Sequence, residues 1–269
     1  MSNVIDIKNQ GDESSVWPRL RLEAAGAAAS EPTLASMLHA VILNHDNIAD
    51  ALSYILANKI GDSNLNQMQV REVCSQAFAA KPKILEQAAA DAIAFETRDA
   101  ACHGYLQPFL FFKGFQALQG YRVAHFLWEE GRQTLAYHFQ SRISELFGVD
   151  IHPAAHIGHG IMIDHATSIV IGATARVGND VSMLHSVTLG GTGAQEEDRH
   201  PKIGDGVLIG AGAKVLGNIE VGDYARIAAG SVVLKPVPSR CTVAGVPAKP
   251  VGDCCPEPAK SMNQVLDTD

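Results

Sequence analysis

Long apolar runs are missing from this chain. No stretch approaches the roughly 18 residues that a membrane-crossing helix needs. The N-terminus, MSNVIDIKNQGDESS, has no apolar core of the kind that a secretion signal carries. Cysteine is scarce, with five residues in 269, at Cys74, Cys102, Cys241, Cys254 and Cys255. None forms a C-x-x-C pair, and the adjacent Cys254-Cys255 has no zinc-site spacing. Scattered thiols of odd number suit a reducing compartment. An excess of positive charge is missing as well: 29 acidic against 21 basic residues give a net charge of -8, which argues against a general nucleic-acid surface. The expectation is a soluble cytoplasmic protein with neither nucleic acid nor membrane as a partner.

Proline is sparse in the first half, at Pro18, Pro32, Pro82 and Pro108. From about Val16 to Leu146, Ala, Leu, Gln and Glu dominate. Apolar residues recur there at helical spacing, as in Leu34, Met37, Leu38, Val41 and Ile42, and later in Phe111, Phe115, Leu118, Tyr121 and Val123. Five to eight helices are expected. Starts are signalled at Ser30-Glu31-Pro32 and at Lys81-Pro82. Residues 1–15 are expected to be disordered.

Near Phe147-Gly148 the texture changes. From Ile203 an aliphatic residue stands at every sixth position: Ile203, Ile209, Val215, Val221, Ile227 and Val233. A period of six fits neither a helix nor a plain strand. It fits short strands joined by regular corners, the mark of a hexapeptide parallel β-helix. An earlier frame runs Ile151, Ile157, Ile163, Ile169 and then shifts by two residues to Ile171, Val177, Met183, Leu189. The run 190–202, GGTGAQEEDRHPK, breaks the period and is expected to protrude as a loop. Nearly five coils result, each covering the next along an apolar column. Pro236 and Pro238 are expected to end the stack, since neither can donate to a further strand. The fold class is therefore α+β, an N-terminal helical domain (16–148) followed by a left-handed parallel β-helix (149–250), with a flexible tail (251–269).

Several polar residues exceed what a plain β-helix needs. Asp164 and His165 follow the inward Ile163 and fall at a corner. Asp150 lies fifteen residues earlier, one coil less three positions. That makes a carboxylate–imidazole pair on adjacent coils plausible, with the acid fixing the tautomer of the base; the alternative is two solvated corner residues. Arg199 and His200 lie in the interrupting loop, where a guanidinium could take a carboxylate in bidentate fashion or simply be solvated. His152, His156, His159 and His165 raise a metal site. A hexapeptide β-helix holding zinc through three histidines resembles the gamma-type carbonic anhydrases, but no ligand set with a supporting shell emerges here, and no metal is expected. Small residues in the last coils, around Ala211 and Ala229, leave room for a long thin ligand or merely permit tight corners.

The stretches DIHPAAHIGHGIMIDHAT (150–167), SVTLGGTG (186–193), DRHPKIGDGVLIGAGAKVLGNIEVG (198–222) and AGVPAK (244–249) closely resemble bacterial serine O-acetyltransferases. So do ALSYILANK (51–59), TRDAA (97–101) and KGFQALQGYRVAHFLW (113–128). The resemblance implies transfer of acetyl from acetyl-CoA, the co-substrate, to the hydroxyl of L-serine, giving O-acetyl-L-serine for cysteine synthesis. It implies His165 as general base, Asp150 as its orienting partner and His200 as a second essential histidine. It further implies Arg199 for the substrate carboxylate, Asp99 and Asp164 for its ammonium, Gly191 for backbone at the same pocket, and Ala211 and Ala229 for CoA contact. A homotrimer or a dimer of trimers, with sites between neighbouring prisms, is implied as well. Two departures stand out. Ala100 replaces a common proline. The chain ends Leu266-Asp267-Thr268-Asp269, where relatives carry an isoleucine that docks into O-acetylserine sulfhydrylase, so that partner is doubtful. A homoserine or other hydroxyl acetyltransferase, a metal-dependent lyase and a non-catalytic scaffold are the rival readings.

Overall fold

The computed structural model describes residues 13–193, 197–253 and 256–266. Glu13–Ser15 make a short helical turn; residues 1–12 of the expected disordered segment, and Cys254-Cys255, lie outside the described residues.

The helical half holds α1 (Val16–Ser30), α2 (Pro32–Leu38), a π-helical turn (His39–Leu43), α3 (Ile48–Ile60), α4 (Gln67–Ala80), α5 (Lys83–Arg98), α6 (Leu106–Phe111), α7 (Lys113–Glu129) and α8 (Gln133–Phe147). Both expected starts are used. Glu31 caps α2 by accepting from Thr33 N, with Pro32 in the first turn, and Pro82 precedes α5. Asn66 and Gln69 form a reciprocal capping box on α4, a device worth about 1 kcal/mol. Gly148, at φ 66°, ends α8 in the left-handed conformation and passes the chain to the first strand. Most of the expected apolar stripes are buried, but Leu34 (39% exposed) and Phe111 (59% exposed) are not.

The rest is a three-faced prism of parallel strands. Face A stacks β1 (Val149–Ile151), β4 (Ile169–Ile171), β7 (Thr188–Gly190), β10 (Lys214–Leu216) and β13 (Val232–Val233). Face B stacks β2 (His156–Ile157), β5 (Arg176–Val177), β8 (Lys202–Ile203) and β11 (Glu220–Val221). Face C stacks β3 (Met162–Ile163), β6 (Ser182–Met183), β9 (Leu208–Ile209), β12 (Arg226–Ile227), β14 (Cys241–Gly245) and β15 (Ala248–Asp253). The six-residue frames are the ladders: Ile151 pairs with Ile171 and that with Leu189, Ile157 with Val177 and Ile203, Ile163 with Met183 and Ile209. These aliphatics fill the interior.

Two expectations at the C-terminal end are corrected. Pro236 and Pro238 do not stop the stack. Val237 between them still bridges to Val221, and β14 continues face C in parallel on β12. Closure comes from β15, which turns back antiparallel on β14. The tail is not simply loose either. A short helix α9 (Pro258–Ser261) buries Pro258 and Ala259. Ser182 Oγ donates to Ala259 O at 2.8 Å, and Arg226 Nη1 donates to the carbonyls of Asn263 and Val265 at 3.1 and 2.9 Å. Backbone acceptors meeting buried donors hold the strap against face C.

Helices and prism meet along α7, which is buried almost all round. Asp91 accepts from Arg122 Nη2 at 2.7 Å and from Ile161 N at 2.9 Å, and Arg122 Nη2 also reaches Gly158 O at 2.9 Å. The buried pair thus has its remaining valences satisfied, the condition under which burial of charge is tolerated. At the start of α7, a Cβ on Gly114 would stand 2.0 Å from Ile163 O. Only glycine lets the helix approach the rung this closely. Cys74 and Cys102 are buried thiols, each pushed up to about 12 by desolvation. Among the described residues no helix is long and apolar enough to cross a membrane.

Candidate active site on two edges of the prism

The corner between faces C and A carries His165. Ile163 and Ile171 are eight residues apart instead of six, and the extra residues bulge at 164–168. His165 (φ 55°), Ala166 (φ 57°) and Ser168 (φ 64°) take left-handed backbone there, at a cost of roughly 1–2 kcal/mol each. Surrounding bonds hold the corner: Asp164 N to Met183 O at 2.8 Å, Ser168 N to Gly148 O at 2.7 Å and Ser186 N to Thr167 O at 2.7 Å. Ala166 is fully buried and anchors the bulge. Strain kept in place by so many contacts is a common mark of a functional corner.

This corner faces the C-terminal end of α5. Asp99 caps that helix and accepts from Ala101 N at 2.9 Å. Asp99, Phe111, Lys113, Asp164, His165 and Thr167 are among the residues around an open cavity of about 620 Å3. Lys113 Nζ donates to Thr167 Oγ1. His165 Nε2 lies 3.6 Å from Asp164 Oδ2, with the imidazole 74% exposed. Burial pushes the Asp164 carboxyl upward and the charge of Asp99 adds to this, while His165 pulls it back. The ring of His185, one coil further on, crosses that of His165 edge-on at 5.9 Å, and its Nδ1 is buried without a partner among the described residues. The same edge continues downward through Ala211 and Ala229: Gly212 N donates to His185 O at 2.9 Å and Gly230 N to Ala211 O at 2.8 Å. The small residues therefore line up beneath His165.

The corner between faces A and B carries the other candidates. Asp150, on β1, accepts from Gln140 Nε2 of α8 at 2.7 Å. His152 packs edge-on against Trp128 and Tyr137, at 5.1 and 5.6 Å, and accepts from Ala154 N at Nδ1. The loop that interrupts the period folds onto this edge. His200 is only 6% exposed. A Cβ on Gly172 would stand 1.9 Å from its Nε2, so the imidazole lies directly on a glycine. Its Nδ1 receives the Thr174 backbone N–H at 3.2 Å. Desolvation holds the His200 ring below its ordinary value, and Arg199 and Lys202 add to this against Asp198. His152 is held down likewise by burial and Arg199, with Asp150 opposing. Arg199 Cδ comes within 3.3 Å of where a Cβ on Gly191 would lie, so these two sequence candidates are neighbours.

The candidates thus form two groups: Asp99, Asp164, His165, Ala211 and Ala229 on one edge, and Asp150, Gly191, Arg199 and His200 on the other. Within one chain the expected Asp150–His165 contact is not formed. The reason is register. Asp150 stacks under Val170 in mid-strand, because this coil holds twenty residues and not eighteen, while His165 sits at the preceding corner. The four histidines close in sequence are likewise dispersed: His156 packs on His125 of α7 at 5.2 Å, and His159 lies at the corner between faces B and C. Among the described residues no group of three or more His, Cys, Asp or Glu is arranged to hold a metal ion. Thr174, Gly172, His185 and Gln140 are neighbours of the site that sequence reasoning missed. Gly172 and Thr174 could have been found from the register, since they follow Ile171 at the corner facing the loop.

Comparison with known proteins gives consistent results. A family model described as serine acetyltransferase, N-terminal, matches residues 16–120, and one described as bacterial transferase hexapeptide (six repeats) matches residues 200–235. A serine acetyltransferase of Escherichia coli (strain K12) is 56% identical over 237 residues, 88% of this chain and 87% of that protein. The crystal structure of serine acetyltransferase from Vibrio cholerae superposes with a TM-score of 0.93 at 55% identity, over 95% of this chain and 99% of that one. A serine acetyltransferase solved in complex with CoA superposes with a TM-score of 0.85 at 52% identity, over 88% and 99% of the two chains.

Proposed function

We infer that this chain, which belongs to the serine acetyltransferase family, transfers the acetyl group of acetyl-CoA to the hydroxyl of L-serine, releasing O-acetyl-L-serine and CoA. The observation that carries this reading is the stacking of one edge: an accessible imidazole, His165, between two carboxylates suited to an ammonium and a column of small residues suited to a pantetheine arm. A serine hydroxyl is a weak nucleophile and has to lose its proton as it attacks. His165 takes that proton while the oxygen bonds to the thioester carbonyl carbon. The tetrahedral intermediate then collapses, the carbon–sulfur bond breaks, and the imidazolium returns its proton to the departing thiolate. No protein nucleophile is needed, and holding both substrates in register supplies much of the acceleration. Asp99 and Asp164 would take the substrate ammonium, and Arg199 its carboxylate.

The second edge completes this scheme only if it comes from another copy. We therefore read the enzyme as a homotrimer, or a dimer of trimers, in which Asp150, Arg199 and His200 of one prism face His165 of the next. The reduced, buried thiols Cys74 and Cys102 fit a reducing compartment such as the cytoplasm. The test is thiol release from acetyl-CoA with a panel of hydroxy amino acids, with and without L-cysteine. Serine is expected to be the preferred acceptor. Homoserine differs by one methylene, worth about 1–3 kcal/mol of discrimination; faster turnover of homoserine would reassign the substrate.

A further inference from the structure

We propose that Thr174 is a positioning residue that keeps His200 in the neutral tautomer with its proton on Nε2, so that this histidine serves as a hydrogen-bond donor and not as a base. The inference rests on the reading that His200 works at the acetyl-transfer site. Thr174 sits at the corner 172–175, directly under the loop that brings Arg199 and His200 to the edge. Its Oγ1 accepts the backbone N–H groups of Arg199 at 3.0 Å and of His200 at 3.1 Å. With both lone pairs engaged, the hydroxyl proton is left to donate, and His200 Nδ1 lies 2.8 Å away. The Thr174 backbone N–H reaches the same nitrogen at 3.2 Å. A ring nitrogen that accepts two donors carries no proton, so in the neutral imidazole the proton sits on Nε2.

The surroundings favour the same state. Asp198 also draws on the Thr174 hydroxyl; when the hydroxyl turns there, the backbone N–H still occupies Nδ1. Lys202 Nζ donates to Thr174 O at 2.9 Å, to His200 O at 2.7 Å and to Asp198 Oδ1 at 2.6 Å, which ties the loop to the corner. The groups facing the ring are Arg199, Lys202 and His152, which oppose a positive charge, and Asp198, which favours one. Gly172 leaves room for the ring, which a Cβ at that position would displace. A single threonine thus sets where the ring stands, which nitrogen bears hydrogen and how readily the ring charges.

The experiment is histidine-selective 15N NMR on the full-length enzyme, with the His200 signals assigned by their loss in His200→Asn. At neutral pH a bare Nδ1 and a protonated Nε2 are expected. Thr174→Val removes the hydroxyl but preserves shape and the backbone donor. It is expected to lower kcat about tenfold, the scale of a small misplacement, with KM for acetyl-CoA unchanged. It should also move the acid limb of the rate profile to higher pH, because a bond favouring the neutral ring is gone. Thr174→Ser should restore both. A protonated Nδ1 in the unmodified enzyme overturns the assignment, as does a Thr174→Val enzyme with unaltered rate and pH profile. The NMR result stands whether or not serine proves to be the acceptor, so the two readings fail separately.

Discussion

At one edge of the prism His165 is 74% exposed on a corner of left-handed backbone, whereas at the other His200 is 6% exposed and bonded through Nδ1 to the corner beneath it. The first arrangement leaves an imidazole accessible to a substrate. The second fixes an imidazole in place and penalises its charged form. Two histidines on two edges thus receive opposite environments, the contrast on which the proposed division between proton transfer and hydrogen-bond donation rests.

The largest test of that contrast is His165→Ala. A roughly 10²- to 10⁴-fold loss in kcat is expected, with the circular dichroism spectrum and CoA binding retained; an enzyme of near-normal rate would remove His165 from the chemistry. Gly172→Ala comes next. The new methyl would stand 1.9 Å from His200 Nε2, so the ring has to move. The rate is expected to fall about 10- to 10²-fold with little change in melting temperature, since a side-chain tip moves and not the backbone. Equal losses of rate and stability would instead make His200 a structural residue.

Joining the two edges is testable by mixing chains. If sites form between the subunits of a trimer, His165→Ala and His200→Ala chains are each expected to be severely impaired when expressed alone. Co-expressed, they are expected to recover about a quarter of the normal activity, since each mixed trimer contains one interface with both histidines intact. No recovery would place both edges in one chain's site. The smallest effect is on stability. His152, His156 and His200 are held below their ordinary 6.5, chiefly by burial. The unfolded chain therefore binds protons that the folded one refuses as pH falls below about 6.5. Asp164, held above 3.8, acts in the opposite sense at lower pH. The urea midpoint should accordingly drop between about pH 7.5 and about pH 5.5; a constant midpoint would show that these rings are not buried in solution.

Much of this molecule is legible in its sequence, and the illegible parts share a cause. The six-residue spacing of Ile203 to Val233 gives the ladders directly, because a coil repeats the same environment at every turn. The shift between Ile163 and Ile171 is visible as a break in register. That it builds the His165 corner, and separates His165 from Asp150 within the chain, is not visible, because it depends on which corner absorbs the insertion. Pro236 and Pro238 mislead because they leave the pairing of Val237 and β14 intact. The strap at 256–266 shows no period, and its hold on Ser182 and Arg226 is made through carbonyls that every sequence possesses. The position of Thr174 follows from the register after Ile171, but its role does not, because its partners are mostly backbone groups.

The antiparallel β15 has a further consequence. A solenoid that finishes on a parallel rung offers its last strand as a template on which an identical copy could continue end to end, without limit. Here the final strand of face C runs backwards, and at the opposite pole α8 packs on the first rung. Face C therefore offers no parallel strand at its C-terminal end on which an identical copy could continue.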